Sequence, residues 1–204
     1  GQSQILPYLR GLSRDYSITL ITFEKNNDWS ESVRMQQAKE ECNCYGIRWL
    51  PQRFNLRSGF LASAKRMLYT IWFLWREVRI REVKLIHARS YIPAGAALIV
   101  KILTGTPFVF DMRALWPEEL ITAGRLQRKS LIHRALDALE YYCLTHAAAV
   151  VSLTNAAKTY LKLKYPAELE RQMIAIIPTC ADLDRFTPSL YRRSGPIVHG
   201  CIGT

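Results

Sequence analysis

The chain of 204 residues is 49% hydrophobic and 22% charged, a composition that allows one sizeable core and excludes a disordered or low-complexity protein. Its formal net charge of +11 suits a phosphorylated ligand, an anionic membrane surface or a nucleic acid. Nucleic acid is disfavoured by the lack of a Cys/His finger, an RNP-like aromatic motif or a Gly-Lys-Ser/Thr phosphate loop, and no spanning helix is expected because Lys65, Arg66 and Lys101 interrupt the best apolar runs.

In chain order, Ile5, Leu9 and Leu12 recur at helical spacing after the cap residue Ser3, and Ser17–Phe23 reads as a β-branched strand. A helix follows over about 31–43, then Gly46 and a short strand Ile47–Leu50 that Pro51 is expected to stop. Residues 59–81 form the longest helix, Val83–His87 a strand, Ile92–Leu103 an apolar helix and Pro107–Asp111 a strand that begins with proline. Helix 129–145, strand Ala148–Ser152, helix Asn155–Lys164 and strand Met173–Ile177 complete six strands in alternation with helices, the pattern of a parallel sheet with crossover helices. Residues 178–196, with Pro178, Pro188, Gly195 and Pro196, read as an interdomain connection, and Ile197–His199 as the start of another strand. The start at Gly1 without an initiating Met leads to the expectation that at least one element lies upstream. Five cysteines (Cys42, Cys44, Cys143, Cys180, Cys201) form no CxxC pair and no zinc spacing, so a reducing, cytoplasmic setting is expected.

Ligands of such sheets bind beyond the carboxyl ends of the strands. Gly1-Gln2-Ser3-Gln4 would let backbone approach an anion at a helix start, although the residues alone favour a plain capped helix there. His87 and Arg89 fall on one side of an extended chain by its period of two, and with Ser90 they could bind sugar hydroxyls or a phosphate, or serve structure alone. Asp111-Met112-Arg113-Ala114-Leu115-Trp116-Pro117-Glu118-Glu119 places acids, a base and an indole directly after a buried strand; Asp111 and Arg113 could instead pair only with each other. In the long helix, Leu61, Ala64, Leu68, Ile71, Trp75 and Val78 form an apolar stripe that Tyr69, Trp72 and Phe73 widen. Its basic residues leave two readings, a helix packed on the sheet or one that faces anionic lipid.

Together these segments resemble the N-terminal domain of glycosyltransferase family 4, retaining enzymes built from two facing Rossmann-like domains. The most specific piece is Pro178-Thr179-Cys180-Ala181-Asp182-Leu183-Asp184-Arg185-Phe186-Thr187-Pro188, similar to the interdomain signature Pro-Asn-Gly-Val-Asp-x-x-x-Phe-x-Pro. Asp111 to Glu119 is similar to a subgroup pattern Asp-Met-Arg-Gly-x-Trp-x-x-Glu with Ala114 in place of Gly, and Glu140 with Ala147–Thr154 resembles the family's helix and following strand. Many members carry His-x-His where this chain has His87-Ala88-Arg89, so the proton-shuttling role of the second His is not carried over to Arg89.

The resemblance implies an α/β fold with a doubly wound, mostly parallel sheet and helices on both faces: the N-terminal half of a GT-B fold lacking its first strand. It further implies domains at 1–177 (acceptor side) and 197–204 (start of a donor-binding domain), with 178–196 as linker. The implied activity is retaining transfer from a nucleotide-diphospho sugar, as co-substrate, to a saccharide or lipid-linked acceptor, without a cofactor or a required metal. Arg89 and Asp111 take the catalytic positions, His87, Ser90, Arg113, Trp116 and Glu119 the acceptor side, and Gly1, Gln2 and Ser3 face the donor diphosphate. This portion by itself is not expected to be a competent transferase. The expected location is cytoplasmic, peripheral at the inner face of the membrane. The alternatives are a nucleotide-sugar epimerase or hydrolase of the same fold, and a non-enzymatic basic module that binds membrane or nucleic acid.

Overall fold

A computed structural model describes residues 5–25, 32–54 and 60–179 of the chain. These residues fall into two compact units, one within Gly1–Phe54 and one within Asn55–Thr179. Among the described residues all the strands are parallel, and the strand–helix alternation read from the sequence is present in both units.

The first unit runs α1 (Leu6–Leu12), β1 (Thr19–Lys25), α2 (Ser32–Cys44) and β2 (Arg48–Phe54). Pro7 sits in the first turn of α1, where a missing N–H costs nothing. Leu6, Cys42 and Ile47 are buried together, with Leu9, Ile18, Leu20 and Trp49 against them. Arg10 of α1 pairs with Glu41 of α2, and Trp49 Nε1 donates to Thr22 Oγ1 across the strand pair at 2.9 Å. Contrary to expectation, Pro51 does not stop β2, which continues to Phe54 in register with β1, Thr22 opposite Pro51. Among the described residues β2 pairs only with β1, so a residue lacking an N–H is tolerated in it as on any sheet edge.

The second unit runs α3 (Phe60–Arg81), β3 (Ile86–Arg89), α4 (Tyr91–Thr104), β4 (Phe108–Met112), α5 (Trp116–Thr122), α6 (Leu131–His146), β5 (Ala149–Ser152), α7 (Asn155–Lys164) and β6 (Ile174–Ile176). Its four strands lie in the order β3-β4-β5-β6, so the described strands hydrogen-bond as a pair and a four rather than as one continuous sheet. Ser130 and Thr154 start α6 and α7 by accepting from the backbone N–H groups of His133 (3.2 Å) and Ala157 (3.1 Å). Gly105, left-handed at φ 77°, ends α4.

Period-two alternation divides the sheet into two faces. Ile86 and Ala88 of β3, Phe108, Phe110 and Met112 of β4, Val150 of β5 and Ile174 of β6 enter the main core, where Val78, Tyr91, Ala94, Ala97, Val100, Leu144 and Leu161 of the helices meet them. Each buried Phe or Leu contributes about 2–3 kcal/mol by leaving water. Within this core a polar chain is fully paired: Tyr91 Oη donates to Glu140 Oε2 (2.6 Å), whose Oε1 receives Lys164 Nζ (2.8 Å) and Tyr165 Oη (3.2 Å). That network joins α4, α6 and the end of α7. Burial, reinforced by the Glu140 charge, pushes the Tyr91 hydroxyl up, which keeps it a donor.

Three readings of the sequence shift. Strand β3 starts at Ile86 rather than Val83 and reaches Arg89, because α3 closes through Val83 N to Val78 O and Glu82 turns at φ 49°. Residues 116–122, assigned to no element from the sequence, form α5, whose start is marked by Pro117 and the first-turn acids Glu118 and Glu119. In α3 the expected apolar stripe divides: Ile71 and Val78 pack on the core, whereas Leu68 and Trp75 stay exposed.

Candidate functional site

The face of the sheet opposite the main core carries His87, Arg89 and Asp111, each two residues or one register step from the next. Arg89 is the Cα partner of Asp111 in the β3–β4 ladder, and Ser90 N donates to Asp111 O at 2.9 Å. Asp111 is only 6% exposed. Its Oδ2 lies 3.3 Å from His87 Nε2, and since an ionised carboxylate only accepts, that nitrogen carries the proton. Its Oδ1 lies 3.6 Å from Arg113 Nη1 in an ion pair and accepts no hydrogen bond. Arg113 Nη2 donates in turn to Thr179 Oγ1 at 2.7 Å, which ties the loop after β4 to the residue following Pro178.

Charge explains how a buried carboxylate is held there. Burial alone would push the Asp111 carboxyl up; the interaction with His87 and the positive charges of Arg113 and Arg89 outweigh it and hold the group below its ordinary value. Arg89 is itself drawn down by burial and by repulsion from Arg113, with Asp111 opposing. Two guanidinium groups thus act on this one carboxylate.

Ser90 adds a conformational signature. At φ 82°, ψ 168° it occupies a backbone region that essentially only glycine adopts freely, and it stands directly before α4. Strain of this kind persists only where the surroundings impose it; here the flanking Arg89 and Tyr91 are fixed by the ladder and by the core.

Beside this cluster an open cleft of about 650 Å³ lies at the carboxyl ends of β4 and β5, bounded by Arg113, Leu115, Glu118 and Glu119 on one side and by Ser152 and Thr154 on the other. Of the residues chosen from the sequence, Arg113 and Glu119 line it, and Arg113 joins it to the Asp111 cluster. Trp116 does not line it; the indole is half-buried, 5.6 Å from the Tyr91 ring and packed on the core. Gly1, Gln2 and Ser3, and the signature beyond Thr179, lie outside the described residues. Glu118, Ser152, Thr154 and Thr179 were not singled out in advance. Glu118 is held by Tyr160 Oη (2.8 Å) and Arg128 Nη2 (2.7 Å). Burial pushes its carboxyl up, but those two hydrogen bonds and the Arg128 charge prevail and hold it low. The first-turn position of Glu118 behind Pro117 was its available signal. Thr179 had none beyond its place in the signature.

Among the described residues no cluster of three His, Cys, Asp or Glu side chains is placed to hold a metal ion. Cys42, Cys44 and Cys143 are free thiols. Burial, aided by the Glu140 charge, pushes the Cys143 thiol up to about 12, so it is no nucleophile at neutral pH.

No curated protein matches the chain. The family model Glycosyltransferase Family 4 matches residues 5–185, a span that includes both parallel sheets, the Asp111 cluster and the adjoining cleft. By that match, and by a parallel α/β architecture with polar residues gathered where its strands end, the chain belongs to glycosyltransferase family 4.

Proposed function

We propose that this chain forms the acceptor side of a retaining transfer of a sugar from a nucleotide-diphospho sugar to a saccharide or lipid-linked acceptor that bears an anionic group. The observation that carries the reading is the pair of guanidinium groups, Arg89 and Arg113, set about one ionised carboxylate at the strand ends, with Arg113 continuing into the cleft. A guanidinium presents a planar fork of donors to a phosphate or carboxylate, which suits Arg113 to orient such an acceptor. Asp111 positions that fork and His87, while Glu119 and Thr154 offer acceptor and donor groups to sugar hydroxyls along the cleft. The donor diphosphate is assigned to Gly1–Ser3 by family resemblance, and neither a cofactor nor a metal is required in this scheme. The linker at 178–196 and a donor-binding domain from 197 belong to the same proposal.

Incubation of the full-length protein with a panel of radiolabelled nucleotide sugars and phosphorylated saccharide acceptors tests it. Label on an acceptor, with the anomeric configuration of the donor kept, is the expected outcome. Label recovered only as free sugar or as a different nucleotide sugar supports the hydrolase or epimerase reading instead, since one fold hosts several chemistries.

A further inference from the structure

Helix α3 has 22 residues and is roughly 33 Å long at 1.5 Å per residue. One side of it is spent on the core, through Ile71, Leu74 and Val78, and its single acid, Glu77, is buried. The opposite arc recurs at helical spacing as Leu68, Tyr69, Trp72, Trp75, Arg76 and Arg79. Of these Leu68 is 66%, Trp72 50% and Trp75 39% exposed, and Ile80 at 59% extends the arc. The rings are grouped: Tyr69 and Trp72 lie 6.1 Å apart, and the Arg76 guanidinium sits 5.8 Å from the Trp72 ring. Scattered exposed apolar residues need no explanation, but two indoles, a phenol and aliphatic side chains aligned on one helix face form a patch.

We propose that this arc of α3 seats the protein on an anionic lipid surface, with the helix lying in the plane of the interface. Indole and phenol rings are suited to the headgroup level, with an apolar body and a polar edge, and Leu68 and Ile80 supply purely aliphatic area that only an acyl boundary or another apolar surface would cover. Charge selects the lipid. In sequence the helix carries Lys65, Arg66, Arg76, Arg79 and Arg81 against the buried Glu77, so two copies placed face to face would oppose cation to cation, whereas an anionic leaflet is complementary. No helix among the described residues is long and apolar enough to cross a membrane, in keeping with a helix that lies on the surface. This docking does not depend on the transfer reaction, because no residue of the arc belongs to the Asp111 cluster or lines the cleft.

Flotation of the full-length protein with vesicles tests it. The protein is expected to float with vesicles of equal parts phosphatidylcholine and phosphatidylglycerol, and about tenfold less with phosphatidylcholine alone. Arg76→Gln/Arg79→Gln should reduce partition onto the mixed vesicles about tenfold or more. Trp72→Ala/Trp75→Ala should reduce it as well, with circular dichroism unchanged in both variants because all four side chains are exposed. If the tryptophan variant misfolds, the arginine variant alone decides. The proposal is overturned by absence of flotation with the mixed vesicles, by equal flotation of wild type and arginine variant, by a wild-type dimer in sedimentation that the tryptophan variant dissolves, or by an oligonucleotide that binds the arc while the vesicles do not.

Discussion

Asp111 joins burial to function at the scale of single residues. Because its folded carboxyl lies below the ordinary value, it stabilises the fold while ionised, above the unfolded value of about pH 4, and that contribution is lost as pH falls through the depressed value. The stability difference between wild type and Asp111→Asn, followed by urea unfolding, should therefore be constant above about pH 5 and shrink toward pH 2. In the full-length enzyme, Arg89→Ala and Asp111→Ala should each lower turnover about 100-fold or more, as loss of a positioned charged group does; near wild-type rates would remove them from the site. Ser90 offers the opposite trade. Replacing it by glycine relieves a strained φ, so Ser90→Gly should raise thermal stability by roughly 1 kcal/mol; if its hydroxyl holds the acceptor, KM for the acceptor rises at the same time. His87 and Arg89 could be placed on one side of a strand from the period of two alone, but the 3.3 Å contact from His87 to Asp111 required the register of two strands, which local sequence does not encode.

Between elements, Gly95 in α4 marks a close approach of three helices. A Cβ there would meet Leu139 Cδ1 of α6 at 3.0 Å and Met67 Cε of α3 at 3.3 Å, both at the ends of flexible side chains. Gly95→Ala should thus be within about 1 kcal/mol of wild type, the gain in helix propensity offsetting a small displacement. Gly95→Val adds branched bulk that those neighbours cannot all yield to, and should destabilise by about 1–3 kcal/mol in chemical denaturation. Helix α7 was legible to the residue, Asn155–Lys164, because Thr154 caps it and its period is regular. Helix α5 was not, since a helix of 7 residues offers too few turns for a period to show, and only Pro117 and two acids mark it. Strand β2 ran past Pro51 because the cost of a proline depends on which edge of a strand has a neighbour.

For the molecule as a whole, alternation of strand and helix determined an α/β protein with parallel strands, since only crossover connections can carry successive strands in one direction. The positive charge and the membership in glycosyltransferase family 4 were likewise legible, because composition and a spaced signature survive without coordinates. Tertiary structure alone decided the rest. It put Arg89 beside Asp111 and Arg113 beside Thr179, 66 positions away along the chain. It opened the cleft at Ser152 and Thr154, packed Trp116 against Tyr91, and turned Trp72 and Trp75 outward while the same helix gave Ile71 and Val78 to the core. The physical reason is the same in each case: period tells which residues share a face, but whether that face meets a core, a cleft or solvent depends on neighbours brought from distant sequence.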